Sequence, residues 1–153
     1  MQVVSQQVMK VHEAPSRATY RVCAGDIITA ISGASTGTAK HATALITEEE
    51  EGAICSNGLA VLRNVRGVNL LFLLCYLRTP YFLRQVRRLL TGHAIPAISL
   101  NDLANVLVPI PSPEVQQAVA ESVCRLQDLR RRTLRLGKQV VNEVESALRD
   151  LLL

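Results

Sequence analysis

From Glu114 to Leu153 the chain has no proline and a single glycine, Gly137. Apolar or small residues recur through this stretch at Val115, Val119, Ser122, Leu126, Leu129, Thr133, Leu136, Val140, Val144, Ala147 and Leu151. The steps of three and four are those of a coiled-coil seam. At 1.5 Å per residue, a continuous helix here is roughly 60 Å long. No small domain covers such a rod along its whole length, so its C-terminal half needs a partner. Pro109-Ile-Pro-Ser-Pro113 marks a hard boundary before it. Two units follow, a globular part over 1–111 and a long helix over 112–153.

The globular part reads as α+β. Residues 1–18 are polar and weakly patterned, a ragged entry to the domain. Tyr20–Val22 and Asp26–Ile31 read as strands broken by Gly25, and Thr43–Ile46 as another. The acidic run Glu48–Glu51 with Gly52 reads as a turn, with Ala53–Leu62 as the returning strand. Asn69 is a candidate N-cap for the apolar run Leu70–Leu77, which should be buried on all sides. Pro80 suits the first position of a second helix with an apolar stripe of Phe82, Val86, Leu89 and Leu90. Gly92 is its expected C-terminal cap. Ser99 and Asp102 begin a polar stretch, and Val106–Val108 reads as a last strand.

Charge is the next guide. The net charge is +4, a weak preference for an anionic partner. Residues 1–111 hold ten Lys/Arg and seven Asp/Glu, and four of those acids form the run Glu48–Glu51. With that run turned away, the remaining surface is basic. Arg84, Arg87 and Arg88 lie off the apolar stripe and, with His93, make the densest basic cluster of this part. Arginine suits phosphate and guanine recognition, although three arginines on a helix are also what an ordinary solvated face looks like. The loop Gly33-Ala-Ser-Thr-Gly37-Thr-Ala-Lys40 is not a nucleotide-binding P-loop, since no lysine follows its second glycine. It is either a flexible strand connection or a loop whose backbone N–H groups, Ser35, Thr36 and Lys40 meet DNA. The block Arg130–Arg132 with Arg135 and Lys138 reads as the solvated flank of the coiled coil.

Little supports catalysis. His12, His41 and His93 are far apart and read as surface histidines. Cys23, Cys55, Cys75 and Cys124 have no metal-ligand spacing and read as reduced, mostly buried thiols of a cytoplasmic protein. The sequence offers no cofactor loop, methyltransferase motif or nuclease core, so the expectation is a non-enzyme with no cofactor and no metal. The beginning of the chain lacks a secretory signal pattern. The apolar run Leu70–Leu77 is far below the ~20 residues of a membrane span, so no membrane association is expected.

Three stretches, in order, resemble the specificity subunits of type I restriction-modification systems. Tyr20-Arg-Val-Cys-Ala-Gly-Asp-Ile-Ile-Thr-Ala-Ile-Ser-Gly33 is similar to the family's Gly-Asp-Ile-Leu strand and the Gly/Ser loop after it. Thr91-Gly-His-Ala-Ile-Pro-Ala-Ile-Ser-Leu-Asn-Asp-Leu103 resembles its glycine-containing loop before a Leu-x-x-Leu segment. Val108-Pro-Ile-Pro-Ser-Pro-Glu-Val-Gln-Gln-Ala-Val-Ala120 resembles its Pro-Leu-Pro-Pro-Leu-x-Glu-Gln junction, with Gln116 at the glutamine. Val115 stands where the family has Glu, and Ser112 where it has the third proline.

The resemblance implies most of one target-recognition domain followed by its coiled-coil helix. Its function would be to read one half of a bipartite site in duplex DNA, while methyltransferase subunits do the chemistry. The DNA-facing candidates are Ser35, Thr36, Lys40, Arg84, Arg87, Arg88 and His93. The family pairs two such helices antiparallel, and a chain with one helix can do so with its own copy. Val119, Leu126, Leu129, Leu136, Val140, Val144 and Leu151 are the candidate dimer residues. Only 25 residues precede Asp26, and the family's full subunit has two recognition domains, so a fragment, a truncated gene or a half-subunit is expected. Two other classes remain open: a coiled-coil assembly module without DNA binding, and the C-terminal recognition segment of a fused DNA methyltransferase.

Overall fold

The computed structural model describes residues 20–92 and 94–152, without the side chains of 150–152. The expected entry segment 1–18 lies outside the described residues.

Two small antiparallel sheets open the fold. Strand β1 (Tyr20–Arg21) pairs with β4 (Ile54–Cys55), Tyr20 opposite Cys55. Strand β2 (Ile27–Ala30) lies between β3 (Thr43–Leu45) and β5 (Leu59–Leu62), with Ile27 opposite both Leu45 and Leu62. A single 3-10 turn over Glu48–Glu50 follows β3. The returning strand expected over Ala53–Leu62 is thus two strands in two sheets. The chain turns at Ser56–Gly58, where the Gly58 carbonyl accepts from the N–H groups of Ile31 (2.8 Å) and Ser32 (3.2 Å). Glu50 is buried, because its carboxylate folds back to accept from the backbone N–H (2.9 Å) and the hydroxyl of Thr47. That closes a capping box around the acidic turn.

The Gly25-Asp26 step has a specific job. Gly25 takes φ +86°, and Asp26 is only 2% exposed. A buried carboxylate persists only if paired. Arg63, just past β5, donates from Nε to Asp26 Oδ1 (3.0 Å) and from Nη2 to Oδ2 (2.7 Å), and the Cys23 N–H donates to Oδ2 (2.8 Å). Arg63 Nη2 also reaches the Arg21 carbonyl (2.8 Å), and its guanidinium lies 5.4 Å from the centre of the Tyr20 ring. One ion pair therefore ties both sheets together, and the Arg63 guanidinium beside it holds the Asp26 carboxyl below its usual range.

Helix α1 (Leu70–Tyr76) starts where Asn69 Oδ1 accepts from the N–H groups of Leu71 (2.9 Å) and Phe72 (3.3 Å). Helix α2 (Pro80–Leu89) has proline in its first turn, and the Thr79 hydroxyl caps Phe82 N–H. Ile27, Leu73, Leu74, Leu77, Phe82, Val86 and Ile98 pack as the main core, and Val22, Ile46 and Cys55 form a smaller cluster behind the first sheet. Gly92 does not cap α2, which ends at Leu90 in an extended conformation. With φ +87°, Gly92 instead belongs to a loop closed by Thr91 and Ala97, which exchange two backbone hydrogen bonds (2.8 and 2.9 Å).

The polar stretch at Ser99 is a short helix, α3 (Leu100–Ala104), capped by Ser99. Val106–Val108 forms no strand. Gln85 satisfies this backbone instead, its Oε1 accepting from the Leu107 N–H (3.0 Å) while its Nε2 and the Tyr76 hydroxyl donate to the Leu107 carbonyl (3.0 and 2.8 Å). Helix α4 then runs unbroken over Pro113–Leu152. Gln116, Val119, Ala120 and Val123 face inward at its start, whereas every residue from Asp128 to Arg149 is exposed. Of the four free cysteines, only Cys55 is buried; Cys23 and Cys124 are exposed, contrary to the expectation of mostly buried thiols.

Candidate nucleic-acid interface

The glycine-rich loop lies between β2 and β3, built over a buried polar network. His41 is buried rather than at the surface as its sequence suggests. Its Nδ1 accepts from the Gly37 N–H (3.0 Å) and its Nε2 is 2.9 Å from Thr29 Oγ1, which is 3.1 Å from Thr43 Oγ1. Because a backbone N–H occupies Nδ1, the proton of the neutral ring sits on Nε2 and is donated to Thr29. The ring meets Phe82 edge-on, 5.7 Å between centroids. Burial pushes the His41 pKa down, and the charge of Arg78 pushes it the same way.

This network fixes the loop against α2. Gly37 has φ +74°, and a Cβ there would stand 2.8 Å from Cγ of Arg87. Only glycine permits that approach. The loop backbone therefore lies on the aliphatic stem of Arg87, whose head is free to face solvent. Arg84, Arg87 and Arg88 are all exposed, as is Lys40, and Ser35 is half-buried. Strand β3 separates this face from Glu48–Glu50, which sit beyond its opposite end.

Thr36 differs from its neighbours. It is 2% exposed, so its side chain is turned inward and is not available to a ligand on the surface. His93 lies outside the described residues. The sequence reading missed Tyr81, which is 69% exposed with the Arg84 guanidinium 5.9 Å from its ring centre. An exposed aromatic one turn before an arginine on the same helix face was the available signal.

The first two stretches that carry the family resemblance meet in space, and the third fastens to the cap of α1. The Ile98 N–H donates to the Ile31 carbonyl (2.8 Å) and the Gly33 N–H to the Pro96 carbonyl (3.0 Å), joining the first stretch to the second. In the third, Gln116 Oε1 accepts from the Asn69 N–H (2.7 Å), and its Nε2 donates to the Pro111 carbonyl (2.9 Å). Among the seam residues, Leu126, Leu129, Leu136, Val140 and Val144 are exposed and Val119 is half-buried. The side chain of Leu151 lies outside the described residues.

Among the described residues, no cluster of three or more His, Cys, Asp or Glu could hold a metal ion, and no helix is long and apolar enough to cross a membrane.

Comparison with known proteins places the family and the fold. The chain is similar to the crystal structure of the HsdS subunit from Thermoanaerobacter tengcongensis, with 31% identity over 82% of this chain and a TM-score of 0.62. It is also similar to a chain from a study of complex assembly and conformational transition in the type I R-M system, with 29% identity over 94% of this chain and a TM-score of 0.69. It spans 32% and 36% of those two chains. No curated protein matches it. Residues 10–146 match the family model for the type I restriction modification DNA specificity domain, and the chain belongs to that family.

Proposed function

We propose that this chain reads one half of a bipartite site in duplex DNA and docks the methyltransferase subunit that modifies the site, doing no chemistry of its own. The carrying observation is the seating of the glycine-rich loop on Arg87, which puts two basic elements distant in sequence on one face. Arg84, Arg87, Arg88 and Lys40 supply phosphate contacts and guanine-type donors there, and Ser35 and the loop N–H groups supply shorter-range ones. Thr36, being buried, supports the loop from beneath rather than touching DNA. The exposed apolar stripe of α4 makes the chain a homodimer that holds two recognition units apart. Such a protein works in the cytoplasm.

The reading is tested by selection from a randomised duplex pool, with and without the partner methyltransferase subunit. A short enriched half-site is expected, repeated across a spacer when the chain is dimeric. No enrichment in either arm, or transfer of a methyl group from S-adenosylmethionine by the purified chain alone, would contradict it.

A further inference from the structure

The glycine-rich loop is braced largely by its own backbone. The Thr36 N–H donates to the Gly33 carbonyl (3.0 Å), the Thr38 N–H to Ser35 (3.1 Å) and the His41 N–H to Thr38 (3.0 Å). The Thr38 hydroxyl donates to the Ser35 carbonyl (2.8 Å) and accepts from the Lys40 N–H (3.1 Å). The middle of the loop is anchored to the sheet by the His41 ring, which joins the Gly37 N–H on one side to Thr29 of β2 on the other. That anchor holds only while Nδ1 carries no proton. A protonated imidazole has two N–H donors and no acceptor. The Gly37 N–H would then face a ring N–H and lose its partner in a buried place. The surroundings do not offset the charge. Thr29, backed by Thr43 of β3, and Phe82 of α2 pack about the ring, and the charge acting on it is that of Arg78, itself a cation. Lys40, the residue before it, and Arg87, on whose stem Gly37 rests, are cations too. Among the described residues no carboxylate acts on the ring.

We propose that His41 is a positioning residue for DNA binding: its neutral ring holds Gly37 on Arg87, and protonation releases the loop and weakens the hold on duplex DNA. The sign is opposite to that of a histidine on a DNA-facing surface, whose added charge draws phosphate. Burial and Arg78 put the transition below the ordinary histidine range. Affinity is therefore full above that range and is lost as pH falls through the lowered value. By linkage, bound DNA favours the neutral ring. The inference rests on the DNA face proposed above and adds the group that sets the shape of its loop.

The test is the affinity of the full chain for a duplex carrying the selected half-site, with the methyltransferase subunit present. It is followed from about pH 7.5 to about pH 5, across the ordinary histidine range. The folded fraction of each chain is taken from circular dichroism, so that affinity is read per folded molecule. Two variants separate the two sides of the ring. Asn puts a carbonyl oxygen where Nδ1 lies and does not titrate, whereas Gln puts an amide nitrogen near Nε2 and leaves Gly37 without an acceptor. The unsubstituted chain should lose about tenfold in affinity toward acid. His41→Asn should start within about threefold of it and keep that affinity, and His41→Gln should be about tenfold weaker at every pH. His12 and His93 are common to all three chains and cancel in the comparison. Affinity of the unsubstituted chain that rises in acid, a profile shared with His41→Asn, or equal affinities of the two variants would overturn the role of His41 while leaving DNA reading standing. No duplex binding by the unsubstituted chain at pH 7.5 would overturn both.

Discussion

The side chain of Gln116, in the first turn of the long helix, accepts a 2.7 Å hydrogen bond from the backbone N–H of Asn69, the residue that caps α1. Its amide nitrogen donates to the Pro111 carbonyl, so one 6%-exposed side chain fastens helix, linker and globular part together. The angle at which α4 leaves the globular part is set here, and with it, in the proposed dimer, the spacing between the two recognition units.

Gln116→Ala removes a buried acceptor and a buried donor at once. It should destabilise the chain by about 1–3 kcal/mol, since the Asn69 N–H and the Pro111 carbonyl are left without a partner. Urea unfolding checks this. Gln116→Glu should recover part of the loss, because a carboxylate still accepts from Asn69 but cannot donate to Pro111. A Gln116→Ala midpoint equal to that of the unsubstituted chain would mean that the junction is held by apolar packing alone.

Gly37 tests whether the loop must lie on α2. Gly37→Val places a β-branched side chain at φ +74° and against the stem of Arg87. The backbone conformation alone should cost about 1–2 kcal/mol, and the clash should lift the loop from the helix. DNA affinity should fall by more than the change in folded fraction accounts for. An affinity that tracks stability alone would show that the loop does not help to form the binding face.

His41 gives the fold a pH dependence of known sign. Its pKa in the folded chain lies below the ordinary value of about 6.5, chiefly because it is buried. Between that value and the lower native one, the unfolded chain binds more protons, so stability falls as pH falls through this window. Protonation would also set a ring N–H against the Gly37 N–H. The urea midpoint should therefore drop between about pH 7.5 and pH 5.5, and His41→Gln should reduce the drop. Asp26, also depressed, acts in a separate window: its contribution is present above the ordinary carboxylate range and disappears as pH falls through its lowered value. Equal drops in the two proteins near neutrality would assign the effect to other histidines.

The long helix, the cap at Asn69, the proline start of α2 at Pro80 and the order of most elements were legible because each rests on local chemistry. Periodicity, a capping side chain or a proline acts within a few residues. What was not legible depends on neighbours far away along the chain. His41 reads as a surface histidine until Thr29, Gly37 and Phe82 are seen around it. Val106–Val108 has the composition of a strand, but Gln85 satisfies the backbone at Leu107. Thr36 has the chemistry of a DNA contact and the wrong direction, turned inward. The exposed arginines of α2 were identifiable from their place off the apolar stripe, while their nearness to the glycine-rich loop needed the positive φ of Gly37 and its fit on Arg87.

The apolar face of α4 can be tested by charge. Changing Val140 and Val144 together to Asp puts two acids on the exposed seam without touching the globular part. The dimer should dissociate at tens of micromolar while circular dichroism and DNA binding by the single domain persist. Retention of the dimer would place the interface on another surface.

The most direct test of the central claim is the salt dependence of binding to duplex DNA, measured with the methyltransferase subunit present. The unsubstituted chain is compared with one in which Arg84, Arg87 and Arg88 are all Ala. The slope of log affinity against log salt should flatten by about 0.9 for each phosphate that is no longer neutralised, and affinity should fall across all sequences. An unchanged slope in the triple variant would contradict the account, because the basic face of α2 would then not be the surface that meets DNA.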